Sequence, residues 1–309
     1  MHAPPGYNLI RYLAAKKEID DRALNRQVWD TLAVTLRRLQ ADRTVRTLEA
    51  GCGIGTMVDR LLEKRLLRSG TYTAIDMDED LIAEAARRMS LRRGFSRMPN
   101  GEGAASRFGC GWTHELEIRF QTAEFFRFAD ASESHCYDMV IAHAFLDLVD
   151  LRRALTSMQR LVRAGGFLYL TLNFDGATIL DPALDPGFDE HIERTYHLTM
   201  DQRLLDGKPS GGSHTGRRLL GLLRDGDSEI LAAGSSDWVV VPVNRGYSGN
   251  EVYFLRYIVE GIVQAIRGQP DIDAGKLEKW RIGRFAQIER GELVYVAHQV
   301  DVLARTSRM

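Results

Sequence analysis

Between Val45 and Asn173, short β-rich runs alternate with segments of helical periodicity, and this alternation restricts the fold more than any other feature. VRTLEA leads into a helical stretch at Met57–Leu67, and YTAID leads into another at Asp78–Met89. ELEIRF and YDMVIAHA follow, then a helix over about Leu151–Val162 and the run FLYLTLN. Strands separated by amphipathic helices form βαβ units, which assemble into a parallel sheet covered on both faces. Two helix starts carry capping residues. Asp150 precedes the stripe Leu151, Leu155, Met158 and Leu161–Val162, which Gly165–Gly166 closes, and Asp78 precedes Leu81, Ile82, Ala85 and Met89.

The flanks are less regular. Leu24, Val28, Leu32, Leu36 and Leu39 predict one helix over about Asp20–Leu39, with Asp20 or Asp21 as its cap. Arg92–Thr113, rich in Gly, Ser, Arg and Asn, reads as a surface loop. Beyond residue 175 come a helix with Phe188, Ile192, Tyr196, Met200 and Leu204 on one face, the connector GKPSGGSHTG and the short helix RRLLGLLRDG. A β-rich run (EILAAGSSDWVVVP), helices near Glu251–Arg267 and Ala274–Arg290, and a last strand, LVYVAHQVDVLA, complete the chain. The organisation expected is an N-terminal helical segment (1–44), a ligand-binding core (45–175), and lid segments with closing antiparallel strands of the same sheet (176–309). Gly176–Thr215 and Gly249–Arg290 are the expected lid.

Charge and composition narrow the function. Basic residues number 41 and acidic residues 42, so the chain lacks the basic surplus of a protein that grips nucleic-acid phosphates. The first residues lack the apolar core of a signal peptide, and no apolar run approaches the ~18 residues of a membrane span. Three cysteines, Cys52, Cys110 and Cys136, form no even framework, which points to reduced thiols and the cytoplasm. Cys110 and His114 have no second ligand pair at zinc spacing, so no metal site is expected.

The stretch TLEAGCGIGT places Gly51, Gly53 and Gly55 at alternate positions, two residues behind Glu49. A strand that ends in glycines and opens a helix is a nucleotide-cofactor turn, because glycine accepts positive φ and lets a ligand lie against the backbone. Asp76 ends the next strand, where an acid can accept hydrogen bonds from both ribose hydroxyls. A dinucleotide also needs that acid, so Glu49 decides between ligands. Its carboxylate would repel a pyrophosphate, whereas it favours the ammonium and sulfonium of S-adenosylmethionine. The third glycine also follows the second by two residues, where the dinucleotide pattern has three.

With these residues in view, the chain resembles the class I S-adenosylmethionine-dependent methyltransferases, small-molecule type. LEAGCGIG is similar to the family's first motif, YTAIDMDEDLI to its second and YDMVIAHAFLDLVD to the fourth-strand motif. LRRALTSMQRLVRAGGFLYLTLN is similar to the helix, double-glycine turn and fifth strand that follow, and HTGRRLLGLLRDG to a later helix. The resemblance implies a seven-stranded, doubly wound Rossmann-like sheet with helical lid insertions. It implies that Glu49, Gly51 and Gly53 line the methionine half of S-adenosylmethionine, with Cys52 and Gly55 also at the cofactor, that Asp76 binds the ribose, and that Met77 packs on the adenine. Where the family often has an acid for the adenine amino group, FQTAEFF has Thr122 or Ala123, with Glu124 as the nearby substitute. His143 would face the transferred methyl group or the acceptor, a small or medium organic molecule.

Methyl transfer is an in-line displacement, so alignment supplies much of the catalysis, and a hydroxyl or carbon acid also needs a base. Of the eight histidines, His143 has the best position, at the carboxyl end of a strand. His191, His197 and His214 lie in expected lid segments, and His298 in the last strand reads as structural. Tyr196 and Trp238 read as packing residues, and Asp147 could orient a substrate or a base or cap a turn. Two other functions use the same turn: a non-catalytic module that binds S-adenosylmethionine or S-adenosylhomocysteine, and an NAD-dependent dehydrogenase.

Overall fold

A computed structural model describes residues 3–99, 105–111, 116–205, 207–226 and 228–307. The chain opens with α1 (Leu9–Ala23) and α2 (Arg26–Asp42), then enters β1 (Val45–Ala50), α3 (Thr56–Glu63), β2 (Gly70–Asp76) and α4 (Glu79–Ser90). Next come β3 (Phe95–Arg97), β4 (Ser106–Cys110), β5 (Leu116–Thr122), α5 (Phe125–Ala131) and β6 (Tyr137–His143). A 3₁₀ turn at Leu146–Leu148 precedes α6 (Leu151–Leu161) and β7 (Val162–Asp181). The remainder is α7 (Pro186–Asp201), β8 (Leu204–Leu205), β9 (Lys208–Pro209), α8 (Thr215–Asp225), β10 (Ser228–Ser235), β11 (Trp238–Val240), α9 (Gly249–Ile266), α10 (Ala274–Glu289) and β12 (Val294–Thr306).

Among the described residues the main sheet has ten strands in the order β10-β12-β7-β6-β1-β2-β5-β4-β3, with β11 paired to β12. The strands from β7 to β5 run parallel, and β4, β3, β12, β10 and β11 add antiparallel pairs at the two sides. The mixed, doubly wound α/β architecture is therefore present, with more strands than the seven expected. All seven residues of β6 are buried, as a parallel strand covered on both faces requires. One face packs against α2, α3 and α4 through Leu32, Leu36, Met57, Leu61 and Phe120; the other packs against α5, α6 and α8 through Phe125, Leu155, Met158 and Leu219. A third core joins α1, α7, α9 and α10 around Phe254, Ile262, Trp280 and Tyr295.

Two local expectations change. The helix over Asp20–Leu39 is two helices: Leu24 leaves the helical region, and Asn25 caps α2 by accepting from Val28 N–H. Asp20 is therefore not a cap; it lies inside α1 and is buried. Arg92–Thr113 is not all loop, because β3 and β4 extend the sheet edge there. Asp78 and Asp150 cap α4 and α6 as the spacing suggests. Strand order reverses about β1, since β2 lies on one side and β6 on the other. The crevice at the carboxyl ends of β1 and β6 is the topological switch point, where open α/β sheets bind ligands.

Candidate active site

The turn after β1 is built by positive φ at all three glycines: 68° at Gly51, 53° at Gly53 and 78° at Gly55. Gly51 also needs its missing side chain for space, since a Cβ there would lie 2.5 Å from Phe145 Cδ2. The Phe145 ring, just beyond β6, thus sits against the glycine turn. Leu13 of α1 approaches Gly53 in the same way, so the N-terminal helix covers the turn. Gly55 is the N-cap position of α3 and is packed by Phe120 and Ala85, a structural place and not a ligand-facing one. Cys52 is also turned inward, into the α2–α4 core, and burial raises its thiol pKa.

Asp76, at the tip of β2, reaches back to the turn. Its Oδ2 accepts Gly53 N–H at 2.9 Å and its Oδ1 accepts Asp78 N–H at 3.0 Å, while partial burial raises its pKa. Met77 beside it is an apolar side chain that is 66% exposed. Thr122 lies opposite Asp76 in the sheet register, and Ala123 N–H donates to Asp76 O. Glu124 follows at the head of α5. Its two carboxylate oxygens accept Phe126 and Arg127 N–H and cap α5, so its charge serves a helix start.

Glu49 differs from expectation as well. It is 1% exposed, it accepts Tyr72 O–H at 2.7 Å, and burial pushes its pKa up to about 8. The carboxyl thus lies inside the sheet top beside Tyr72 instead of standing open behind the glycines.

His143 ends β6, opposite Thr171 of β7. It is buried, and both ring nitrogens are engaged: Nδ1 lies 2.8 Å from Thr171 Oγ1, and Nε2 lies 3.2 Å from Asp20 Oδ2 and 3.1 Å from Arg60 Nη1. Burial and the adjacent Arg60 push its pKa down to about 4 against the upward pull of Asp20, so the ring is neutral at pH 7. Asp20 is the hub of this cluster. It accepts Lys16 Nζ at 2.6 Å, Trp238 Nε1 at 2.9 Å and Arg60 Nη2 at 3.4 Å. Burial would raise the Asp20 pKa, but Lys16, His143 and Arg60 together hold it well below the ordinary carboxylate range. Arg60, 4% exposed, also donates to Asp21.

Lys16, Asp20, Asp21, Arg60 and Trp238 are thus site neighbours that the sequence reading did not assign to the site. One signal was present: Arg60 falls among Met57, Val58 and Leu61 on the apolar side of α3, where an unpaired guanidinium would be costly. The other histidines stand apart from this cluster. His191 meets Asp271 O, His197 meets Thr178 Oγ1, His214 meets Ser213 Oγ, and His298 meets Asp237 Oδ1. Asp147 caps no helix; Asp150 does that, and Asp147 Oδ1 is buried without a hydrogen-bond partner. His114 lies outside the described residues, and no group of three His, Cys, Asp or Glu among the described residues is placed to hold a metal. No helix among the described residues is long and apolar enough to cross a membrane.

Comparison with known proteins adds a family. Residues 48–170 match the model of a methyltransferase domain. No curated protein sequence matches the chain. Among solved structures, YjhP from E. coli is 16% identical with a TM-score of 0.45, covering 95% of this chain and 98% of that one. Phosphoethanolamine N-methyltransferase 2 of Haemonchus contortus, solved with phosphomonomethylethanolamine and S-adenosylhomocysteine, is 12% identical at a TM-score of 0.45; the match covers 99% of this chain and 59% of that one. Geranyl diphosphate C-methyltransferase of Streptomyces coelicolor, with S-adenosyl-L-homocysteine, is 12% identical at 0.41, covering 85% and 72%. None of these three likenesses reaches a TM-score of 0.5, so the assignment rests on the domain match.

Proposed function

We propose that the chain, whose residues 48–170 match a methyltransferase domain, is an S-adenosylmethionine-dependent methyltransferase that transfers the methyl group to a small or medium organic acceptor. The observation that carries this reading is the turn at the switch point, where Gly51 and Gly53 expose backbone and Asp76 stands at its edge. A nucleoside laid across it would set its ribose hydroxyls against Asp76 and its base against Met77, with Thr122 and Ala123 beyond. The ribose would have to share Asp76 with the Gly53 and Asp78 N–H groups, which a carboxylate's four lone-pair sites allow.

Glu49 and the backbone around Gly51 and Gly53 would receive the methionine end. Ionising Glu49 inside the sheet top requires a nearby cation, and the ammonium and sulfonium of the cofactor supply that charge. S-adenosylmethionine brings the activated methyl. The protein's part is to orient it, exclude water and place the acceptor in line.

His143 is assigned to the wall beside the methyl. With a pKa near 4 and both nitrogens engaged, it serves as a neutral hydrogen-bonding group and positions neighbours, instead of taking a proton as a free base. The near balance of basic and acidic residues supports a small-molecule acceptor over nucleic acid.

Calorimetry with S-adenosylhomocysteine on the wild type and Asp76→Ala tests the cofactor assignment. Losing hydrogen bonds to a charged acceptor should weaken binding by about 2–4 kcal/mol. Equal affinity would remove Asp76 from the site. Conversion of S-adenosylmethionine to S-adenosylhomocysteine over an acceptor panel separates an enzyme from a binding module.

A further inference from the structure

Tyr72 lies in β2, and β1 runs parallel beside it with Thr47 opposite Tyr72. Glu49 is therefore two residues further along β1, on the same face as Thr47 by strand alternation. Tyr72 packs in the core formed with Met57, Val58 and Leu61 of α3. A phenol hydroxyl and a carboxyl set in such surroundings are each costly without a partner. Here they satisfy one another. Both side chains are buried, and Tyr72 O–H donates to Glu49 Oε2 at 2.7 Å.

No other hydrogen bond reaches the Glu49 carboxyl among the described residues, so Oε1 is left unused. Burial works against the Glu49 carboxylate, and Asp76 of β2 and Asp59 of α3 add to that; Tyr72 and Arg60 favour it. Arg60 acts only at a distance, because its guanidinium is engaged with Asp20, Asp21, Thr56, Lys17 O and His143. On β6, Glu49 is opposite the apolar Ile141, and His143 is neutral. Burial and Glu49 raise the Cys52 thiol, so the turn adds no charge at this point. Burial and the adjacent Glu49 also push the Tyr72 hydroxyl well above the usual range for a phenol, so it stays protonated and remains the donor.

We propose that Tyr72 is a positioning residue for the cofactor: its hydroxyl fixes Glu49 Oε2 and favours the carboxylate, so that Oε1 receives the ammonium of the methionine end. This inference rests on the methyltransferase reading, in which Glu49 meets that end. A hydrogen bond to the ionised form stabilises that form alone. Tyr72 thus sets the pH at which the empty protein gives up the Glu49 proton and admits a cation.

Calorimetry with S-adenosylhomocysteine between about pH 6.5 and about pH 9.5 tests this on the wild type, Tyr72→Phe, Glu49→Gln and the double variant. The ratio of two proteins at each pH cancels the ligand's own titration. Relative to Glu49→Gln, wild-type affinity should rise with pH and level off near the Glu49 pKa of about 8. Tyr72→Phe removes one oxygen and keeps the ring, and it should move that break upwards by about one pH unit or more. It should then bind about tenfold or more weakly than the wild type at about pH 6.5, with the gap narrowing several-fold by about pH 9.5. Tyr72→Met, which also lacks a donor, should give the same break. In the Glu49→Gln background, Tyr72→Phe should leave the pH profile where it was. A loss of equal size at every pH is what a purely structural tyrosine gives, and it would overturn the proposal. So would no loss at all, or the same pH-dependent loss in the Glu49→Gln background. If S-adenosylhomocysteine fails to bind the folded wild type at any pH, the methyltransferase reading fails, and this one with it.

Discussion

Replacing Asp20 with Asn removes the one carboxylate that Lys16, Arg60, His143 and Trp238 share. Arg60 keeps Asp21 as a partner, but Lys16, 6% exposed, has no second carboxylate in the cluster. Breaking a buried pair on one side leaves an uncompensated charge and costs about 3–5 kcal/mol. At roughly 2.1 cal/mol/K per residue, the unfolding entropy of the 309-residue chain is near ~0.65 kcal/mol/K, so the melting temperature should fall by about 5–8 °C. The assay is thermal and urea unfolding at pH 7, with coincident circular dichroism and fluorescence as the two-state check. Asp20 carries a depressed pKa, so its stabilisation is present above the unfolded value of about 3.9 and is lost as pH falls towards the folded one. The gap between wild type and Asp20→Asn should therefore narrow below about pH 4. The double variant Lys16→Met/Asp20→Leu, which removes both charges, should be more stable than the single one. A single variant within about 1 kcal/mol of wild type, or a double variant no better than the single, would refute the account of this cluster as a paired buried network.

Glu49, raised by burial to about 8, binds a proton in the folded state that the unfolded chain releases near pH 4.5, so its contribution to stability falls as pH rises from about 4.5 to 8 and is flat beyond. Glu49→Gln should flatten that slope, which denaturation at pH 5 and pH 8 would measure. Cofactor binding at pH 7 should release protons from the wild type and fewer from Glu49→Gln, read from calorimetry in buffers of different ionisation enthalpy. Gly51→Ala places a Cβ 2.5 Å from the Phe145 ring at a φ of 68°, so it should cost about 1–3 kcal/mol and abolish S-adenosylhomocysteine binding; an unaffected titration would show the turn to be adaptable. Asp76→Asn keeps one acceptor oxygen for the Gly53 N–H and should retain more stability than Asp76→Ala while still losing cofactor affinity, which parallel melting and titration would separate.

Much of the framework was visible locally. Alternating periodicity set the parallel strands β1, β2, β5, β6 and β7, and Asp78 and Asp150 marked helix starts because a cap needs only its own first turn. The positive φ values at Gly51, Gly53 and Gly55 follow from glycine's lack of a Cβ. The same local logic misled at Asp20, where an acid near a helical stripe resembled a cap but lay within α1. It offered Glu124 as an adenine partner, and the same carboxylate also caps α5.

Strand periods, capping residues and the side-chain-free turn are short-range properties, so the amino-acid order alone determined the α/β class and the glycine turn at the switch point. Which charges meet there was decided only by the tertiary structure. His143 finds Asp20 across 123 residues and Arg60 across 83, and Trp238 finds Asp20 across 218. Helix packing over the sheet top brings those groups together and excludes water from them. That exclusion lowers His143 and raises Glu49, and no spacing rule along the chain encodes it.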